Sequence, residues 1–309
     1  SRPGTLAAQE SAPSRTGPLS THFREVPANA GRRERGATET LPEPSVLGYL
    51  YAVGCGAAVT VGVVLYPLGQ FWLAAALLLF GAALWRWPSV WLAAVPAALP
   101  VLDLTPWSGQ LVLTAFDLFV LAALGVVGLR LSGIKPARLP NAWFGLALLL
   151  LWLSWFIAMA IGLAPSAGGE LPSAASHPPL APWHEGKGLL WALLAVPLLG
   201  RFRRSLGSTA AARLVLPGAV IGLALVCANV LYERVVHVGL FDLDDVFRVT
   251  GPFASMHDGG AYIEAYLAFA FPMLLVWIML ARRRGQQVLG AELVLDVAYA
   301  MLVTFSRGG

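Results

Sequence analysis

Nine long apolar runs, separated by short polar or basic segments, dominate this sequence from Pro44 onward. About 20 predominantly apolar residues form a helix long enough to cross the hydrocarbon core of a bilayer. We therefore predict an all-α, polytopic membrane protein with about nine transmembrane helices, within a range of roughly eight to ten. The predicted spans are 46–66, 68–85, 88–102, 110–129, 141–163, 186–200, 211–231, 260–281 and 286–305.

The composition excludes most soluble classes of protein. Hydrophobic residues make up 57% of the 309 residues, charged residues only 12%, and the mean hydropathy is +0.69. An ordinary soluble domain has about 25% charged residues. A chain this apolar cannot cover itself with polar surface in water, which excludes a soluble globular enzyme and a nucleic-acid-binding domain. Cys55 and Cys227 lie inside apolar runs, and we interpret them as small core residues without a disulfide.

Two of the predicted spans are short and contain proline. The third, 88–102, contains Pro96 and Pro100, and the sixth, 186–200, contains Pro197. Segments of this kind are tolerated in a membrane when they are buried in protein. We expect both spans to be tilted, broken or re-entrant.

Residues 1–45 are rich in Ser, Pro, Gly, Ala, Arg and Glu, with almost no large apolar residues. Such a segment buries too little apolar surface to offset the entropy of ordering, so we predict a disordered cytoplasmic tail. Residues 46–309 form the predicted transmembrane helical domain. The sequence begins with Ser1 and stops directly after an apolar run, and we therefore expect a fragment of a longer protein.

Basic residues divide unequally between the two sides of the predicted membrane. With the N-terminus placed in the cytoplasm, seventeen of the 21 Lys and Arg residues fall inside and four fall outside. Cytoplasmic loops carry an excess of Lys and Arg, so this division predicts a cytoplasmic N-terminus and supports the number of spans. The four outside residues are Lys187, Arg234, Arg248 and Arg307.

The third outward segment, 232–258, has the densest set of polar side chains. We interpret Asp242, Asp244 and Asp245 as loop carboxylates with local ion pairs, because a calcium site needs more oxygen ligands at specific spacing. His237 follows two valines, and we interpret it as packing at the membrane interface.

His257 and Asp258 precede two glycines and a predicted helix. Asp258 is suited to cap that helix. Glycines allow close approach of the backbone, and a helix N-terminus favours anions. With Arg248 nearby, the pattern is typical of a phosphate-binding corner. The alternative for Arg248 is an ion pair with Asp244 or Asp245.

Four acidic residues lie inside predicted spans, where charges are costly and usually face the helix bundle. Asp117 lies about eight residues into the fourth span, and Glu264 about one turn into the eighth. Glu292 and Asp296 are four residues apart and share a face of the ninth. Polar contact between helices remains an alternative to function for each. The functional alternatives are proton coupling for the pair and positioning of an outward arginine for Glu264.

Several short motifs carry a family resemblance. The segment 247–253 reads FRVTGPF and is followed by YIEAYLAFAFP at 262–272. The chain ends in VTFSRGG at 303–309, and PVLDLTPWSGQLVLTAFD occupies 100–117. In order and spacing these segments resemble the O-antigen ligase and O-antigen polymerase superfamily. The resemblance covers roughly residues 46–309.

The resemblance implies a glycosyltransferase on the periplasmic face of the bacterial inner membrane. The donor would be an undecaprenyl-diphosphate-linked glycan, and the acceptor lipid A–core or another glycan, with no cofactor, no metal and no nucleic acid. Arg248 and Arg307 inherit the role of binding the diphosphate, with Glu264, His257 and Asp258 in support. The family's catalytic histidine belongs to a large periplasmic loop beyond Gly309, so this chain offers no assigned catalytic residue.

Two other functions fit the same sequence. A secondary transporter or a flippase for lipid-linked glycans would use Asp117, Glu292 and Asp296 for coupling, but we find no inverted repeat of the kind that transporters carry. A non-catalytic membrane scaffold would leave the outward arginine and glycine motifs without a role. For Arg307, the alternative is a side chain that extends to the membrane interface.

Overall fold

The computed structural model of the protein describes residues 46–67, 69–102, 111–133, 141–164, 181–242, 249 and 262–305. Within these ranges the chain forms nine α-helices and no strand. The helices are α1 (Val46–Val64), α2 (Gln70–Arg86), α3 (Trp91–Leu102), α4 (Ala115–Arg130), α5 (Ala142–Gly162), α6 (Ala181–Leu206), α7 (Ser208–His237), α8 (Tyr262–Leu280) and α9 (Arg284–Phe305). A 3₁₀ turn, Pro88–Val90, precedes α3. The predicted disordered tail lies outside the described residues.

Several long apolar helices suggest a membrane-embedded protein. By length and composition, α5, α7, α8 and α9 can each cross a membrane. A fifth span results if α2 and α3, which meet at a bend of 117°, count as one. In α5 only 6% of the most apolar stretch is buried, and large side chains such as Trp143 and Ile161 are more than 70% exposed. Apolar surface of this extent requires a lipid or protein environment. The nine crossings and the cytoplasmic N-terminus remain predictions.

Contacts between neighbours show that the helices alternate in direction. Gly48 at the start of α1 lies against Ser132, just beyond the end of α4. The rings of Trp91, at the start of α3, and Phe202, near the end of α6, have centroids 6.0 Å apart. The starts of α1 and α3 therefore lie at the same end of the bundle as the ends of α4 and α6.

Contacts between helices also show which helix ends lie together at the opposite end of the bundle. The starts of α4 and α6 are joined by a contact between Asp117 and Lys187. The Tyr299 hydroxyl, near the end of α9, donates a hydrogen bond of 2.7 Å to the carbonyl of Leu240, just beyond α7. We call this end, at which α7 and α9 finish and α4 and α6 begin, the polar end. The end at which α1, α3 and α7 begin is the basic end.

The described cations divide between the two ends. The polar end carries only Lys187 and Arg234 of the described Lys and Arg residues. The basic end carries Arg86, Arg130, Arg201, Arg203, Arg204, Arg213, Arg282, Arg283 and Arg284. This division follows the one predicted from the sequence.

Two helices extend well beyond their predicted spans. Helix α6 is not short: it runs for 26 residues with Pro197 inside it. Helix α7 runs for 30 residues. Lys187 and Arg234, predicted in outward loops, therefore lie in helices. Hydropathy detects only the apolar part of a helix, whereas backbone hydrogen bonding continues into polar flanks.

Helix α4 begins later than predicted. Its first residue is Ala115, so Asp117 occupies the first turn instead of lying eight residues inside the span. The cause is a capping box, in which the Thr114 side chain accepts from the Asp117 backbone N–H and the Asp117 side chain accepts from the Thr114 backbone N–H.

The contact between α3 and α7 depends on two glycines one helical turn apart. Gly218 lies directly against the backbone of Ala93, and Gly222 against the carbonyl oxygen of Pro96. Small residues at this spacing let helix backbones approach closely. Pro100 has no N–H to bond the Pro96 carbonyl within α3, so that carbonyl tilts into the contact.

We expect Gly222→Val to destabilise the protein by about 1–3 kcal/mol. A Cβ at this position would lie 2.6 Å from both the Pro96 oxygen and the Tyr266 hydroxyl, so the helices must separate. The measurement is the midpoint of SDS-driven unfolding in mixed micelles. Gly54→Val is the matched control, because a Cβ at that exposed glycine meets nothing within 4 Å. Equal midpoints for the two variants would contradict the close contact.

Candidate functional site

A buried ion pair joins the starts of α4 and α6 at the polar end. The Lys187 ammonium donates to Asp117 Oδ2 at 2.5 Å, and the two side chains are 11% and 2% exposed. Because the partners are 70 residues apart in the chain, the pair fixes the relative position of two helices that local structure does not connect.

The Asp117 carboxylate is fully engaged. Its Oδ2 also accepts hydrogen bonds from the Thr114 backbone N–H at 2.7 Å and from the Thr114 hydroxyl at 3.0 Å. Its Oδ1 accepts from the Trp191 indole N–H at 2.8 Å. A carboxylate has about four acceptor sites. With four donors on its two oxygens, the Asp117 carboxylate holds the start of α4 against α6.

One face of α6 supplies the partners of this ion pair. Trp183, Lys187 and Trp191 follow at four-residue spacing, which places them on the same side of the helix. The Trp183 indole donates to the carbonyl of Val112 at 2.7 Å, just before α4. Burial and the nearby Lys187 ammonium lower the pKa of His184 below its usual value. The His184 imidazole is therefore neutral at pH 7.

A second polar arrangement lies where α7 ends. The side chain of Arg234 is buried, and its guanidinium donates to the backbone carbonyl of Asp242. The Arg234 carbonyl accepts from the N–H groups of Val238 and Gly239 at 3.1 and 2.6 Å. Gly239 has a φ of 111°, a conformation that suits glycine and ends the helix. Arg234 thus holds the first residues of the outward segment against α7.

The core beneath this arrangement links the predicted motif segments. Val249, which follows Arg248 in the chain, is fully buried in the same hydrophobic cluster as Ile263 and Val303. Val303 precedes Arg307 by four residues. Val249 and Val303, the described residues nearest in sequence to Arg248 and Arg307 within the two motif segments, therefore belong to one hydrophobic cluster formed with α7, α8 and α9.

The predicted site residues are described only in part. Arg248, Arg307, His257 and Asp258 lie outside the described residues. Glu264 lies in the first turn of α8 and is half-buried. No hydrogen bond or ion pair joins it to another described residue, so positioning of an arginine by Glu264 stays a prediction.

The other intramembrane acids lie on α9, away from the Asp117 pair. Glu292 is exposed and Asp296 is half-buried. Neither forms an ion pair with a described residue. In the described part of the chain, no group of three His, Cys, Asp or Glu side chains could hold a metal ion. Cys55 and Cys227 are buried and free, as predicted.

Sequence reasoning overlooked Lys187, Trp191 and Thr114, although two local signals were present. The pattern Thr114-x-x-Asp117 before an apolar run is that of a capping box and marks the start of α4. Pro182 is the second residue of α6, and proline is favoured in the first turn of a helix.

Comparison with known proteins gives no relative. No protein-family model matches the sequence, and neither a curated protein nor a solved structure matches it.

Proposed function

We propose that this chain belongs to a multi-pass glycosyltransferase of the O-antigen ligase and polymerase type in the bacterial inner membrane. The donor is an undecaprenyl-diphosphate-linked glycan, and the acceptor is a hydroxyl of lipid A–core or of another glycan. The acceptor hydroxyl attacks the anomeric carbon, the bond from that carbon to the diphosphate breaks, and undecaprenyl diphosphate leaves. The hydroxyl proton passes to a general base, which in the superfamily that the chain resembles is a histidine of a large periplasmic loop.

One observation carries the proposal: Val249 and Val303 are buried in one core cluster. Val249 directly follows Arg248, and Val303 lies four residues before Arg307; these two arginines stand in the two motifs that resemble the superfamily. Arginine presents a planar, permanently charged fork that pairs bidentately with phosphate oxygens. Two such groups at one end of a bundle suit a diphosphate and stabilise the charge that builds on it as the glycosyl bond breaks.

The sidedness of the proposed site follows from the cations. Basic residues favour the cytoplasmic side of a membrane, and nine of the eleven described ones lie at the basic end. The polar end would then face the periplasm, where the lipid-linked donor is used. The Asp117–Lys187 pair and the Arg234 contact support the proposal as a rigid frame, since binding sites work best on held elements.

The contacts of Asp117 favour a structural role for this residue over the coupling role that the rival function, a transporter or flippase, would give it. A proton carrier must exchange its proton with water or with a relay. Asp117 is 2% exposed and accepts four hydrogen bonds, which leaves Glu292 and Asp296 to that hypothesis.

Deletion of the gene tests the proposed function against its rival. We expect donor to accumulate on the periplasmic face, with surface glycan either absent from lipid A–core or reduced to single repeats. The measurement is cleavage of the accumulated donor by a glycan hydrolase added to spheroplasts. Resistance to the hydrolase would place the donor on the cytoplasmic face and support a flippase. Unchanged surface glycan and unchanged donor would contradict both.

A further inference from the structure

An apolar groove of about 630 Å³ runs between α1, α2 and α4. Its walls combine small residues with large aliphatic ones, including Gly56, Gly81, Val63, Leu77 and Leu121. The one hydroxyl in its lining, Thr60, donates to the Gly56 carbonyl at 2.9 Å. The groove is therefore almost entirely apolar and suits an alkyl chain.

The length of the groove matches one leaflet of a bilayer. On α1 its lining extends from Ala52 to Val64. At 1.5 Å per residue this is about 18 Å, close to half of the roughly 30 Å hydrocarbon core. An acyl chain lying in the groove would thus have its headgroup at one end of the bundle.

A guanidinium stands at the basic end of the groove. Trp85 and Leu129 line the groove there, and the Arg130 guanidinium lies 5.1 Å from the centroid of the Trp85 ring. Arg86 is next in the chain and lies over Trp87 at 5.4 Å. Stacking on an aromatic face leaves the N–H edges of a guanidinium free to bind phosphate.

No acidic residue of the neighbouring helices neutralises these arginines. Residues 46–102 contain no Asp or Glu. The one acid of α4, Asp117, lies at the opposite end of that helix and is paired with Lys187. The groove therefore ends at two cations without a carboxylate partner among the described residues, so the matching ligand is an alkyl chain with an anionic headgroup.

We propose that this groove binds one acyl chain of an anionic glycerophospholipid, with the lipid phosphate on Arg130 and Arg86. The site lies at the end opposite the proposed diphosphate site. Lipid binding in the groove requires that the protein is embedded in a membrane, but it does not require glycosyl transfer. The two proposals can therefore be tested independently.

Retention of lipid by the purified protein tests whether the site prefers an anionic headgroup. Native mass spectrometry in detergent, with phosphatidylglycerol and phosphatidylcholine of identical acyl chains, should show one preferentially retained phosphatidylglycerol per chain. Arg130→Gln should lower that preference on the order of fivefold, the contribution of one basic residue near an anionic bilayer. Arg213→Gln, an exposed arginine on α7, is the matched control. An unchanged preference in Arg130→Gln would overturn the proposal.

A substitution that fills the groove tests whether an alkyl chain binds in it. Gly56→Leu inserts a side chain where a Cβ meets nothing within 4 Å, and it should reduce retention of both lipids at this site. Gly54→Leu, on the same helix but outside the groove, should behave as wild type. Wild-type retention in Gly56→Leu would overturn the proposal. The proposal would also be overturned if Gly56→Leu converted a dimer to monomers without loss of lipid. That result would mean that a second copy of the chain covers the groove.

Discussion

Asp117→Asn is expected to lower the free energy of unfolding by about 3–5 kcal/mol, the cost of breaking a buried ion pair by removing one partner. The substitution keeps the size of the side chain but removes its charge. The Lys187 ammonium then remains buried without an anion, since it pairs with no other described residue. Desolvation of the ammonium is no longer offset, so the connection between the starts of α4 and α6 is weakened.

Removing the cation should cost less than removing the anion. In Lys187→Met the Asp117 carboxylate keeps the two hydrogen bonds from Thr114 and the one from Trp191. It also stays in the first turn of α4, where the helix dipole favours negative charge. The double variant Asp117→Asn/Lys187→Met should be more stable than Asp117→Asn alone, because no unpaired buried charge remains.

SDS-driven unfolding in mixed micelles, followed by tryptophan fluorescence, measures these differences. Glu292→Gln is the matched control, since it removes an exposed carboxylate that forms no ion pair with a described residue. We expect the control to stay within about 0.5 kcal/mol of wild type. A loss in the double variant equal to the sum of the losses in Asp117→Asn and Lys187→Met would show that the two residues do not interact energetically.

The helices were predictable because each depends on local information. Nine apolar runs correspond to nine helices in the described residues, since a continuous apolar stretch reports the part of a helix that avoids water. The ends were not predictable in this way. At α7 the apolar run stops near Leu231, but the backbone hydrogen bonds continue to His237 and end only where Gly239 adopts a positive φ.

The Asp117–Lys187 pair was beyond sequence reasoning for a different reason. Its partners are separated by 70 residues, and no local pattern specifies which helices pack together. Lys187 also follows a polar stretch that resembles a loop. The capping box reveals where α4 begins, but only the packed structure reveals which cation the Asp117 carboxylate binds.

The proposed diphosphate site was predicted from sequence motifs and not from the packing of the helices. The segments around Arg248 and Arg307 are separated by more than fifty residues, and hydropathy alone does not bring them together. Val249 and Val303 are buried in one cluster, which supports the proposal, whereas Arg248 and Arg307 themselves lie outside the described residues. The chemistry of the two arginines is therefore best tested directly.

Arg248→Ala and Arg307→Ala, made in the protein encoded by the complete gene, are each expected to reduce glycan transfer on the order of 100-fold or more. Loss of one preorganised donor to a developing negative charge has effects of about this size. The measurement is the rate of transfer from a synthetic undecaprenyl-diphosphate-linked saccharide in membranes that contain matched amounts of each variant.

Lysine substitutions separate charge from geometry at these positions. Arg248→Lys and Arg307→Lys keep the positive charge but replace the planar fork with a compact ammonium, which cannot bind two phosphate oxygens bidentately. Each lysine variant should therefore recover part of the rate lost in the corresponding alanine variant.

The control must distinguish the effect of removing an arginine at the proposed site from the effect of removing a cation elsewhere on the protein. Arg283→Ala removes an exposed arginine at the basic end and should transfer glycan at the wild-type rate. Wild-type rates in both Arg248→Ala and Arg307→Ala would remove the diphosphate role from these residues. A loss in Arg283→Ala equal to theirs would mean that net charge, and not a bidentate contact at the polar end, controls the reaction. Only a selective loss at Arg248 and Arg307, with partial recovery by lysine, fits a diphosphate held between the two arginines.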